Sequence, residues 1–174
     1  MVSRCQQVTL IHSLAALLLT GGSAMAASWD DVPITAASSL PQYVWDALEA
    51  GAKRYKVSDH INPFYLQGDF DGDGSRDTAV LIEEQKTGQV GAAIVFKGGK
   101  LRILGAGQDM GEGESDLDWM DAWYVEPKGK VQQGATDGTP PMLKGDGIMA
   151  IKTESASRII YWDGKGFRWY QQGD

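Results

Sequence analysis

The densest chemistry in this chain lies in nine residues, Asp69-Phe70-Asp71-Gly72-Asp73-Gly74-Ser75-Arg76-Asp77, with acids at positions 1, 3, 5 and 9 of the run. A hard dication such as Ca²⁺ takes roughly 6–8 oxygen ligands at about 2.3–2.6 Å, from carboxylates, backbone carbonyls and water. Alternation lets a tightly wound loop turn every second side chain inward. Gly72 and Gly74 supply the positive-φ conformations that such winding needs. Four carboxylates this close repel one another, and a bound dication offsets that cost. The pattern therefore predicts a Ca²⁺ site at Asp69, Asp71, Asp73 and Asp77. The competing reading is a plain turn, because Asp side chains also accept hydrogen bonds from backbone N–H groups two residues on.

Spacing also says which kind of loop this is. An EF-hand needs a bidentate Glu at its twelfth position, and here that position is Val80. The closing acid is Asp77, followed by the apolar run Thr78-Ala79-Val80-Leu81-Ile82, which reads as a buried strand. Phe64-Tyr65-Leu66 precedes the loop, so the loop joins two strands. This stretch, about residues 65–82, resembles the FG-GAP/VCBS calcium-loop motif, DxDxDGxxD, of integrin α-subunit propellers and many secreted bacterial proteins. The resemblance implies a structural Ca²⁺ held by Asp69, Asp71, Asp73 and Asp77 with the backbone carbonyl of Ser75. The loop occurs once and no period of 40–60 residues repeats it, which excludes a propeller of such blades.

A second acidic stretch places Asp109, Glu112, Glu114, Asp116 and Asp118 within ten residues of a Gly-rich segment. It lacks the regular acid–glycine alternation and reads first as a solvated loop. The alternatives are a second cation site, or paired carboxylates of a hydrolase acting on cell-wall or extracellular glycans. Nucleophilic catalysis has little to draw on. Ser115, Ser155 and Ser157 sit in no G-x-S-x-G elbow, and His60 reads as a turn residue between helix and strand. Aromatic residues gather at Trp119, Trp123 and Tyr124 and again at Tyr161, Trp162, Phe167, Trp169 and Tyr170. Beside acidic loops they could form a glycan- or peptide-binding face. On alternating strands they serve equally as core and cross-strand pairs.

The elements that would position these groups follow from periodicity and punctuation. Arg4, the apolar run Val8–Leu19 and Ala24-Met25-Ala26 have the order of a secretory signal peptide over residues 1–26. Export by the general secretory route to the periplasm or beyond is expected. Removing that segment removes the only cysteine, Cys5, and leaves 15 basic against 23 acidic residues. Such a surface argues against nucleic acid and anionic membranes as partners. No membrane insertion is expected either, since the apolar run is too short to span a bilayer.

Residues 27–38 read as a flexible lead-in. A helix is expected over 41–55, with Val44, Leu48 and Tyr55 on one face packing against Val80, Ile82, Ile94 and Phe96. Strands are expected near 63–68, 78–84, 90–97, 100–105, 120–126, 146–153, 157–163 and 166–171. Tight turns fall at Lys97-Gly98-Gly99-Lys100 and Trp162-Asp163-Gly164-Lys165-Gly166. Residues 129–145 read as a loop. The expected fold is α+β: a single domain over 39–174 with one N-terminal helix packed on a mainly antiparallel β-sheet, curled or sandwiched. The expected function is a non-catalytic binding or interaction module for a protein or glycan partner, with the glycan hydrolase and a periplasmic inhibitor or immunity-type protein as alternatives.

Overall fold

The structure, a computed structural model, describes residues 39–111 and 113–173. The expected signal segment 1–26, the lead-in 27–38 and Glu112 lie outside the described residues. Along the chain come α1 (Gln42–Gly51), β1 (Tyr55–Val57), β2 (Tyr65–Gly68), β3 (Asp77–Glu84), β4 (Val90–Val95), β5 (Leu101–Gly105), β6 (Ala122–Glu126), β7 (Gly129–Lys130), β8 (Met142–Leu143), β9 (Gly147–Lys152), β10 (Ala156–Trp162) and β11 (Phe167–Gly173).

All pairings are antiparallel, and they make two main sheets rather than one. The first runs β1-β3-β4-β5, with β2 beside β1 on the same edge of β3. The second runs β11-β10-β9-β6. The α+β expectation holds, and of the two forms left open the sheet takes the sandwiched one.

Period-2 alternation explains the layering. On β3 and β4, Ala79, Leu81, Ala92 and Ile94 join Trp123, Ile148, Ala150 and Ile160 in the core between the sheets. Val80, Ile82, Ala93 and Val95 face the other way, onto Val44, Ala47 and Leu48 of α1. Both central strands are therefore buried on both faces, which is why they read as continuous apolar runs. Ile94 and Phe96, expected under the helix, lie in the inter-sheet core instead, and Ala93 and Val95 take their place. No helix among the described residues is long and apolar enough to cross a membrane.

Two further expectations change. The helix ends at Gly51 rather than 55, and Tyr55 joins the same core from β1, paired with Glu84 of β3. Tyr-Lys-Val alternates buried–exposed–buried, so an open edge of β3 claims it as a strand. The 129–145 loop contains the short β7–β8 ribbon, and its Val131 and Leu143 cover Met149, Ile159 and Tyr170 on the outer face of the second sheet.

Candidate metal centre

The acidic loop is the connection from β2 to β3, and each of its ends is fixed by a sheet. Gly68 and Asp77 are register partners, so Asp69 leaves one strand as Asp77 begins the next. Phe70 is fully buried in the inter-sheet core and anchors the loop from below. Gly72 and Gly74 take φ of +79° and +87°, the left-handed winding anticipated from their positions.

Asp77 is wholly buried. Its Oδ2 accepts the Phe70 N–H at 3.0 Å and its Oδ1 the Lys97 N–H at 3.0 Å, tying the loop to the end of β4. Burial raises its pKa from 3.8 to about 6. The two backbone donors pull it down, and the charges of Asp71 and Asp73 push it further up. Asp69 Oδ2 accepts the Gly74 N–H at 3.1 Å, while its Oδ1 is buried without a hydrogen-bond partner. Asp71 Oδ1 accepts the Asp73 N–H at 3.1 Å, and Asp73 Oδ1 the Ser75 N–H at 2.6 Å.

One carboxylate oxygen from each of Asp69, Asp71 and Asp77 lies within 4.8 Å of the other two. A Ca²⁺ ligand shell has a diameter of about 4.6–5.2 Å, twice the Ca–O distance. The three oxygens therefore fit around one ion, and the donor set is all hard oxygen. Asp73 is exposed and outside this trio; its carboxylate holds the half-buried Ser75 through the backbone. Of the four acids expected at the site, the fold brings the carboxylate oxygens of three together.

The loop's other partner lies far away along the chain. The Asp69 N–H donates to Asp146 Oδ2 at 2.9 Å across 77 residues, and the Asp146 N–H returns to the Asp69 carbonyl at 2.6 Å. Asp146 Oδ1 also accepts the Lys128 N–H at 3.1 Å. Gly145 makes this approach possible: a Cβ there would lie 2.4 Å from the Asp69 carbonyl oxygen and 2.5 Å from the Gly72 nitrogen. The acidic loop of the first sheet is thus bonded to the residues that enter β9 of the second. The only local hint is an Asp between two glycines at a strand start, and nothing in that pattern identifies a partner 77 residues away.

The second acidic stretch is arranged differently. Asp109 Oδ1 accepts the Gly111 N–H, and Asp116 Oδ1 accepts the N–H groups of Val90 and Asp118. Glu114 pairs with Arg158, whose guanidinium lies over the rings of Trp119 and Trp169. Among the described residues these acids form no metal-type group. His60 is exposed, its Nδ1 2.8 Å from Ser58 Oγ, as a turn histidine would be. Compared with known proteins, the chain matches no family model, no curated protein and no solved structure.

Proposed function

We propose that this chain is an exported, non-catalytic binding module whose β2–β3 loop holds a structural Ca²⁺. The observation that carries the metal reading is Asp69 Oδ1, a buried carboxylate oxygen without a partner that stands beside two further acids. A buried anionic oxygen left unpaired is costly, and a cation satisfies it. Asp77 adds support, because a fully buried acid flanked by like charges gains most from a dication. The order of the acids resembles the FG-GAP/VCBS loop, a resemblance that would add Asp73 and the Ser75 carbonyl as ligands. Because the loop is bonded to Asp146, an ion there would stiffen the junction between the two sheets as well as the loop itself. Export rests on the signal-like order of residues 1–26, and the binding role on the aromatic side chains beside the second acidic loop.

Thermal melting with Ca²⁺, Mg²⁺ and chelator tests the metal reading. Extracellular Ca²⁺ modules bind at about 10⁻⁴–10⁻³ M, and ten times that dissociation constant adds ~1.4 kcal/mol of stability. A rise of several degrees with Ca²⁺, and little with Mg²⁺, is the expected result. Identical melts in Ca²⁺ and chelator would leave only an Asp-Gly turn.

A further inference from the structure

The open side of the sandwich, where edge strand β5 of the first sheet faces the β10–β11 hairpin of the second, holds a cleft of about 390 Å³. That is within the range of small-ligand sites, which run from roughly 300 to 1,000 Å³. Its described lining includes Trp162, Phe167 and Trp169 with Arg102 and Arg168, whose guanidinium groups donate to the carbonyls of Leu101 and Phe167 on the two edge strands, and Asp109 is the one acid among these residues. The three rings are half-buried, so each has surface to offer. They are also held in place: Trp162 and Phe167 meet edge to face at 5.2 Å, both contact Phe96, and Arg158 lies 4.6 Å over Trp169. Preformed rings of this kind lose little entropy on binding.

Charge identifies the class of ligand. The chain carries a net charge of −7, yet two cations line this one cleft. Arg168 is braced by Asp163 at 3.1 Å, and Arg102 donates to the Leu101 carbonyl. Guanidinium groups recognise carboxylates through paired N–H donors. Aromatic faces accept the apolar C–H face of a sugar ring, and Asp109 offers an acceptor for a hydroxyl. Strand addition to β5 or β11 is disfavoured, because charged side chains on edge strands act against it.

We propose that this cleft binds an acidic saccharide, one or two uronate rings stacked on the aromatic wall with a carboxylate between Arg102 and Arg168. This goes beyond the metal reading and does not depend on it, so the experiment is run in chelator as well as in Ca²⁺. The full chain is titrated with a galacturonate trimer, an alginate trimer and a hyaluronan tetrasaccharide, followed by tryptophan fluorescence and calorimetry. A neutral galactose trimer and a glutamate tripeptide are run beside them. Saturable binding of at least one uronate oligomer is expected, with the neutral sugar and the peptide at least about tenfold weaker. Arg102→Gln, on an exposed edge with only a local bond to lose, should weaken the uronate at least about tenfold with an unchanged melting temperature; Arg168→Gln should weaken it as much, with a small fall in melting temperature from the lost Asp163 ion pair. Absence of binding by all three uronates, equal binding of the peptide, or undiminished binding to Arg102→Gln would overturn the proposal and leave the arginines as edge-strand guards.

Discussion

Two acidic loops of similar length and composition do opposite things with their carboxylates. In the 69–77 loop, alternate acids turn toward one point, and Asp69, Asp71 and Asp77 bring oxygens within 4.8 Å of one another. In the 109–118 stretch each described acid that makes a bond has a separate partner: Asp109 and Asp116 accept backbone N–H groups, and Glu114 pairs with an arginine. What separates them is the frame. The first loop closes between register partners Gly68 and Asp77, while the backbone of Lys144 and Gly145 presses on Gly72 from outside. The second surrounds Gly111 and Gly113 with open space. Acid count alone does not bring carboxylate oxygens together; alternation inside a clamped connection does.

The sharpest way to break this contrast is to remove the clamp and leave every acid in place. Gly145→Ala puts a methyl group 2.4 Å from the Asp69 carbonyl oxygen, and overpacking of this kind costs about 1–3 kcal/mol or more. Urea titration should show that loss and calorimetry a weakened Ca²⁺ response. Gly113→Ala, strained only by its φ of +78°, should cost about 1 kcal/mol and leave the Ca²⁺ response untouched. Equal effects at the two glycines would show that the clamp is irrelevant.

Asp77→Ala strips the buried Phe70 N–H and the part-buried Lys97 N–H of their acceptor. A loss of about 2 kcal/mol or more is expected even in chelator. Asp116→Ala, whose bonds are partly solvated, should lose less. A metal-free cost at Asp77 below that at Asp116 would mean that the buried carboxylate is not holding the loop.

Proton linkage separates the loops further. Burial raises the Asp77 carboxyl from 3.8 to about 6, so between those values the metal-free native state holds more proton than the unfolded chain. Stability from this group is therefore present below about pH 4 and is lost as pH rises through 6, at up to about 1.4 kcal/mol per unit. Ca²⁺ favours the ionised form, so the stabilisation it gives should grow from pH 5 to pH 7. A Ca²⁺ increment that is flat or falls over that range would remove Asp77 from the site.

The smallest effect belongs to the second loop. Glu114→Gln breaks its half-exposed ion pair with Arg158 and should cost no more than about 1 kcal/mol, with the same value in Ca²⁺ and in chelator. A Ca²⁺-dependent cost there would bring the second loop into the metal site.

Much of this contrast was legible before any coordinates. The flanking runs Phe64-Tyr65-Leu66 and Thr78-Ala79-Val80-Leu81-Ile82 placed the acid–glycine loop between two strands, the second of them buried. Local signals failed where tertiary partners decide. Tyr55 continues the apolar spacing of the helix, but the open edge of β3 draws it into a strand. Ala93 and Ile94 are both apolar and both buried, and only the pleat determines which meets the helix. Asp73 matches the motif as well as Asp71 does, yet it caps Ser75 instead of joining the trio. Asp146 and Gly145 complete the clamp from the far side of the chain, and no short-range pattern marks them.

The central claim is that one loop, and not the other, holds the ion. Calorimetric titration of Ca²⁺ into three proteins at neutral pH tests it most directly: the wild type, Asp71→Ala and Asp118→Asn. One site is expected in the wild type, none in Asp71→Ala, and one of unchanged affinity in Asp118→Asn. Heat that survives Asp71→Ala and disappears in Asp118→Asn, or no heat from the wild type at millimolar Ca²⁺, would contradict the account.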